Sequence, residues 1–370
     1  MKMISLNSNI KKSLLLSGRF NRSGIILVAS LWVVIILVII AVGLSHKTSV
    51  DLAFGKFVFA KSQAAYAARA GISYALREIR DNKSDGNPAD VDTHYACGVN
   101  LKDGQSIEQK WKDIPLENGS HFTIVYKEQT DHGIKKYLGL ADEERKININ
   151  AIMPQDVGIL KFLLTLQGVG EEDAHIAAAS IIDWKDPDEE ITDGSYGAET
   201  EFYKSQGSGY VAKNAPFDSV GELRLVRGVT PEIFDKLKDL VTVFPKEGRF
   251  QINANTASPV VIKAVVSSVV GPATNTDEAE VLSLMDKIIE LRNGEDGVLH
   301  TADDRPIDEK DLPLNAKEKT LFYYLMQYHA PKSRFFRITS EGVAGTRQVK
   351  SRITAVVNQE DFSTVYWFQD

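Results

Sequence analysis

Between Asp183 and Glu201 the chain sets Asp183, Asp186, Asp188, Glu189, Glu190, Asp193, Glu199 and Glu201 into one stretch broken by Pro187 and Gly194. Spaced carboxylates in a turn-rich loop are hard oxygen ligands, and they suit Ca²⁺, which takes about 6–8 oxygens at ~2.3–2.6 Å without strict geometry. The spacing is not that of an EF-hand, because no Asp-x-Asp-x-Asp-Gly run with a closing glutamate is present. A second candidate loop is Gly294-Glu295-Asp296-Gly297, followed by Thr301-Ala302-Asp303-Asp304. The candidate ligands are Asp183, Asp186, Asp188 and Glu199 in the first loop, and Asp296, Asp303 and Asp304 in the second. The alternative in both places is a solvated acidic surface. An ion here would be structural, since neither loop offers a nucleophile.

No catalytic set accompanies these acids. Ser195 stands in Asp193-Gly194-Ser195-Tyr196-Gly197, which is not G-x-S-x-G. The 7 histidines form no H-E-x-x-H, and no phosphate-binding G-x-x-x-x-G-K-[ST] occurs. The single cysteine, Cys97, excludes an internal disulfide and a cysteine-based zinc site. With 43 basic and 50 acidic side chains the net charge is -7, which argues against a nucleic-acid surface as the main business of the chain. Residues 1–24 hold five bases (Lys2, Lys11, Lys12, Arg19 and Arg22) and no acid, so the remainder carries about -12.

The elements that must position the acidic loops follow from periodicity. The 370 residues, 43% of them hydrophobic, predict two or three folded units. His121 to Tyr126 alternates as a strand does, and Tyr137–Leu140 and Lys146–Asn150 are short strand candidates. From Ala151 to about Ala330 the pattern is helical, with helices expected at 155–166, 171–183, 218–226, 230–243, 258–269, 277–292 and 315–328. After Pro331 strands return at Arg334–Glu341, Thr346–Asn358 and Ser363–Phe368, with Gly342 and Gly345 placed at the turn. Strand, helical block, strand describes a helical domain inserted into an αβ domain.

The block contains an internal repeat. Ile147-Asn148-x-Asn150-x-x-x-Pro154 recurs as Ile252-Asn253-x-Asn255-x-x-x-Pro259. Thr256 or Ser258 is expected to cap the helix that follows the second copy. Leu166-Gln167-Gly168-Val169 is echoed by Val226-Arg227-Gly228-Val229, each with a glycine between helices as in helix-hairpin-helix units. Such units can present backbone amides to phosphate. Residues 168–201, however, contain 11 acids and one lysine, Lys185, and phosphate affinity requires charge neutralisation. The hairpins therefore read as packing units, with Arg224 and Arg227 leaving the second slightly more permissive.

From Ile25 to Leu44 no residue is charged and only Ser30 is clearly polar. Twenty helical residues span about 30 Å, the thickness of a bilayer core. The bases ahead of the run place the N-terminus in the cytoplasm and the body on the far side. A cleaved signal peptide would have a shorter apolar run and a better cut site than Gly43-Leu44-Ser45, whereas a plain signal anchor fits the length. Beyond the run, Ala60, Ala64, Ala67, Ala68, Gly71, Ile72, Ala75, Leu76 and Ile79 recur at helical spacing, and no proline precedes Pro88. One helix from about Ile25 to Arg80 is expected.

Arg22-Ser23-Gly24 directly before Ile25 resembles the type IV pilin-like prepilin signal. That resemblance implies cleavage by a membrane-embedded peptidase between Gly24 and Ile25, N-methylation of Ile25, and a mature chain that keeps its apolar run. The chain departs from most pilin-like proteins at the fifth mature position, which is Ala29 and not glutamate. In the family that glutamate is thought to neutralise the amine of a neighbouring subunit, so Ala29 points to a subunit with none ahead of it.

Together with this leader, Ile181-Ile182-Asp183-Trp184-Lys185-Asp186-Pro187-Asp188, Gly197-Ala198-Glu199 with Tyr203, Gly221-Glu222-Leu223 with Gly228-Val229-Thr230, and Ile252-Asn253-x-Asn255-Thr256-Ala257 resemble the minor pseudopilin K family of the type II secretion system (GspK). The resemblance implies an α+β fold. A long N-terminal pilin-type helix packs on a small antiparallel sheet, with a large inserted all-α domain of helix-hairpin-helix or SAM-like type. The divisions are leader 1–24, transmembrane part 25–44, pilin-like domain 45–150 and 331–370, and insert 151–330. It implies a non-enzymatic assembly factor of the inner membrane, with its body in the periplasm, at the tip of a pseudopilus for protein export. Its partners would be minor pseudopilins I and J, the prepilin peptidase, exoprotein cargo and the outer-membrane secretin, with no nucleic acid. Calcium in the insert belongs to the same expectation. A minor pilin of a type IV pilus, or a DNA-uptake pseudopilin with helix-hairpin-helix contacts, is the alternative.

Overall fold

The computed structural model describes residues 22–84, 106–130, 133–207, 209–271, 273–297 and 304–370. The chain divides into two compact units, one ending at Phe59 and the other spanning Ala60–Asp370. Helix α1, Arg22–Ser84, has 63 residues. In the first unit its large apolar side chains between Ile25 and Leu44 are 39–72% exposed. That stretch is long and apolar enough to cross a membrane, and exposure on this scale requires a lipid or protein cover.

The second unit begins with the small-residue stripe. Ala64, Ala67, Ala68, Ile72, Ala75 and Ile79 are buried. Helix α2 (Ile107–Trp111) follows, then strands β1 (Ile114–Pro115), β2 (His121–Thr130), β3 (Gly133–Leu138), β4 (Ala141–Asp142) and β5 (Ile147–Asn148). Next come helices α3 (Val157–Leu166), α4 (Glu171–Asp183), α5 (Thr200–Ser205) and α6 (Pro231–Leu237), strand β6 (Val241–Thr242), and helices α7 (Pro259–Ser267), α8 (Glu278–Arg292) and α9 (Ala316–Tyr328). Strands β7 (Phe335–Ala344), β8 (Val349–Asn358) and β9 (Thr364–Gln369) complete the chain. The main sheet runs β1-β2-β7-β8-β9, with β3 also on β2 and β4 also on β7, and every pairing in it is antiparallel. The expected α+β fold is present.

One apolar core lies between the end of α1 and this sheet, built from Ile72, Ile79, Phe122, Ile124, Phe336, Ile338 and Ile353 among others. The second fills the helical block. Gly342 is not in a turn, contrary to the sequence expectation. It sits inside β7 opposite Ser351 and Phe122, where an added Cβ would stand 2.1 Å from the Ala64 carbonyl oxygen. The residue is glycine because helix and strand backbones touch there. The turn proper uses Gly345 and Gln348, both at positive φ.

Most helices begin and end where periodicity placed them. The segment expected at 218–226 is a 3₁₀ helix at Val220–Leu225, and 230–243 is shortened to α6 because the chain then pairs as β6 with β5. The two asparagine repeats form the same local turn. The Asn150 amide donates to Asn148 Oδ1 at 3.0 Å, and the Asn255 amide donates to Asn253 Oδ1 at 3.1 Å. Each second asparagine then reaches across the core, Asn150 to the backbone of Phe217 and Val243, Asn255 to the Ile307 amide. Neither Thr256 nor Ser258 caps α7 by side chain. The Thr256 hydroxyl is committed to Asp142.

That carboxylate belongs to a buried charged junction. Asp142, Glu143 and Glu144 are all under 5% exposed. Asp142 accepts from Asn253 Nδ2 at 3.0 Å and from the Ser333 hydroxyl at 2.6 Å, joining β4 to the second repeat and to the approach to β7. Glu143 takes a two-pronged bond from Arg337 at 2.7 and 2.6 Å, and the Thr242 hydroxyl donates to it at 2.7 Å. Glu144 pairs with Arg334. Burial alone would raise the pKa of Glu143, but Arg337 and Lys146 outweigh it and hold the carboxyl well below its ordinary value. A depressed carboxyl contributes stability above its unfolded pKa and loses it as pH falls toward the folded value. Glu143→Gln leaves the half-buried Arg337 charge without its partner and should cost about 3 kcal/mol at pH 7. The deficit should shrink when unfolding is measured near pH 3; a deficit independent of pH would contradict the pairing.

Candidate functional site

The first acidic loop is assembled from the C-terminal end of α4 and the start of α5. Ala174, Ala177, Ala178 and Ile181 commit one face of α4 to the core, and Ile182 and Trp184 are buried beside them. Asp183 is the charged residue in that run, fully buried at the last helical position. Asp186 follows in the turn, and Glu199, also buried, is the N-cap residue of α5. Each of the three offers an oxygen, and these oxygens lie within 4.8 Å of one another.

The protein leaves that oxygen cluster without internal donors on its facing side. Asp183 Oδ2, Asp186 Oδ1 and both carboxylate oxygens of Glu199 are buried and accept no hydrogen bond. Asp183 Oδ1 alone is held, by the Thr192 amide at 2.9 Å. Burial is the leading cause of a raised pKa at all three, and mutual repulsion adds to it, bringing Asp186 to about 6 and Glu199 to about 8. Buried oxygens of one sign are costly unless a proton or a cation balances them. A divalent oxygen-seeking ion fits this donor set.

The loop is shaped to bring the three together. A Cβ at Gly197 would lie 1.9 Å from Asp183 Oδ2, so only glycine lets the 196–198 backbone cross over that carboxylate. Arg227 fastens the crossing by donating to the Gly197 carbonyl at 2.8 Å while its guanidinium covers the Phe202 ring at 4.6 Å. Beneath, Trp184 meets Tyr203 edge to face at 5.3 Å. Arg224 likewise covers the Phe234 ring at 4.1 Å. The two arginines flanking the second hairpin are thus engaged in packing. Thr192, Gly197 and Arg227 were not among the expected ligands or supports, and the one signal for them was the glycine two residues before Glu199.

Asp188 is exposed and turns back to accept from the Glu190 amide at 2.8 Å. It adds negative potential to the cluster without joining its three oxygens. In the second loop Asp296 is exposed and Asp304 partly buried, while Asp303 lies outside the described residues. Among the described residues the group of Asp183, Asp186 and Glu199 is the one set of three acids gathered tightly enough to hold an ion. Gly24 and Ile25 lie in the first turns of α1. Most of the expected leader, residues 1–21, lies outside the described residues, as does Cys97.

The family model described as "Type II secretion system (T2SS), protein K" matches residues 145–246, which contain the whole site. Curated proteins called type II secretion system protein K are similar to this chain. That of Klebsiella pneumoniae is 28% identical over 179 residues, covering 45% of this chain and 53% of its own. That of Aeromonas hydrophila is 27% identical over 242 residues, covering 64% and 68%. In the first of these the matched segment spans about half of the relative's length. Among solved structures, a chain of the GspK-GspI-GspJ complex from enterotoxigenic Escherichia coli shares the fold. It has a TM-score of 0.57 at 17% identity, over 88% of this chain and 99% of that one. The apolar part of α1 is long and apolar enough to cross a membrane. The matched domain and the relatives thus carry one description, type II secretion system protein K, and this chain is similar to them over residues 145–246 and beyond.

Proposed function

We propose that this chain is the minor pseudopilin at the tip of a type II secretion pseudopilus, a non-enzymatic subunit that starts assembly in the inner membrane with its body in the periplasm. The observation that carries the tip position is Ala29. An ionised group in the bilayer core is expensive unless paired, and a subunit meant to lie beneath another would be expected to keep the glutamate that neutralises the neighbour's amine. The helical block supports the same reading, because some 180 residues added to a pilin-like sheet leave little room for a further subunit above. The solved relative was found with GspI and GspJ, and pseudopilins I and J of the same system are the partners proposed here. Prepilin peptidase is the processing enzyme in this reading.

The cluster of Asp183, Asp186 and Glu199 is proposed as a structural Ca²⁺ site. The ion would supply the positive charge that the four unpaired buried oxygens lack, tying the end of α4 to the start of α5. Binding to the folded state alone stabilises by about 2.7 kcal/mol at a hundredfold excess over Kd. Millimolar Ca²⁺ should therefore raise the unfolding temperature of the native chain, and Glu199→Gln should abolish most of that increment. An identical Ca²⁺ increment in the variant would remove the cluster from consideration.

Processing tests the functional reading itself. In cells with an active prepilin peptidase, intact mass and N-terminal sequencing should find a chain starting at N-methylated Ile25, and Gly24→Leu should leave the leader attached. Normal maturation of that variant would refute the prepilin pathway.

A further inference from the structure

The main sheet has two exposed edge strands, and they are protected differently. On one side β3 carries Lys135 and Lys136, charges that discourage a further strand from adding. On the other side β9 reads Thr-Val-Tyr-Trp-Phe-Gln, with no charge, proline or glycine. All its residues except Tyr366 are exposed, including Val365 at 42%, Trp367 at 41% and Phe368 at 55%. Six residues of high β-propensity and no charge on an open edge are an aggregation hazard unless covered.

The backbone of this edge is ready for pairing. The Asp370 amide donates to the Arg352 carbonyl at 3.1 Å, and the register continues as Phe368 opposite Thr354. Hydrogen bonding alternates along an antiparallel strand, so the N–H and C=O groups of Trp367 and Gln369 point away from β8. Lys61 bonds the carbonyls of Lys350 and Asp370 and fixes the end of the strand.

Two cations of α1 lie along the same edge. The Arg69 guanidinium sits 5.6 Å from the centre of the Trp367 ring, and that of Arg80 sits 4.8 Å from the centre of Phe362, just ahead of β9. Among the described residues neither arginine pairs with a carboxylate, although Arg77 on the same helix pairs with Glu78. In a body with an excess of acid, two carboxylate-free arginines beside an open strand are a specific feature.

We propose that β9 is a docking edge for an extended segment of another polypeptide, which adds as a further strand and presents acidic side chains to Arg69 and Arg80. Main-chain bonds to Trp367 and Gln369 would give affinity, and the two guanidiniums would select acidic sequences over neutral or basic ones. A second copy of this chain fits the edge less well. Its own β9 has no carboxylate between Thr364 and Gln369, so self-pairing would bring the two Arg69 side chains together.

The test uses the full chain in detergent micelles and two fluorescently labelled peptides, Thr-Glu-Val-Glu-Val-Glu-Val-Thr and its counterpart with lysine for each glutamate. Anisotropy should show saturable binding of the acidic peptide, at least about tenfold tighter than the lysine peptide. Arg69→Gln with Arg80→Gln should remove that preference without changing the unfolding temperature. Trp367→Pro, which alters the edge backbone, should abolish binding, and Trp367→Thr should retain part of it. No binding of the acidic peptide at millimolar concentration, equal binding of the two peptides, or concentration-dependent self-association abolished by Trp367→Pro would each overturn the proposal.

Discussion

Asp142, Glu143 and Glu144 are the point on which the second unit depends. Three acids in succession are buried where the first strands of the sheet give way to the helical block, and each is satisfied by a residue far along the chain. Asp142 is held by Asn253, Thr256 and Ser333, Glu143 by Thr242 and Arg337, and Glu144 by Arg334. Ion pairs of this kind gain little over apolar packing but are costly to break. They fix one docking of block on sheet, because an alternative docking would leave charges unpaired in an apolar interior. With that junction set, β7 and β8 can close the sheet although the helical block separates them from β2, and Gly342 can bring the sheet into backbone contact with α1.

The asparagine repeats use the same physical device. Each copy bends the chain by an Asx turn just before a core helix, α3 in one case and α7 in the other, and each sends its second asparagine across to a distant backbone group. The repeated residues thereby serve packing, and the hairpin glycines Gly168 and Gly228 supply the left-handed conformation between helices. The acidic cluster differs in kind. Four of its oxygens accept no hydrogen bond from the chain, and buried oxygens of one sign call for a proton or a cation to balance them.

Much of this architecture was legible in the sequence. The limits expected for α4, α8 and α9 agree with the structure to within a residue, and the alternation at β2, β7 and β8 identified the sheet. The small-residue stripe marked the face of α1 that packs on it. Other features were hidden for identifiable reasons. A glycine in a strand reads as a turn, so the contact of Gly342 with Ala64 was invisible until helix and sheet were together. The run from Asp142 to Arg145 carried no signal of its burial, since nothing local tells that Asn253, Ser333 and Arg337 converge on it. At the candidate ion site Asp183, Asp186 and Glu199 were legible as ligand types, but Asp188 looked equally suitable, and only the turn that bonds it to Glu190 sets it apart. The support from Arg227 was not legible, because a basic residue beside a hairpin glycine suggests phosphate and not a carbonyl clamp.

A chain that caps a pseudopilus as proposed must assemble with the minor pseudopilins I and J of its own system. The most direct measurement is to purify the three chains in detergent, mix them, and determine the mass of the product by size-exclusion chromatography with light scattering. The account predicts one species containing one copy of each. Separate elution of this chain while I and J associate with each other would contradict it.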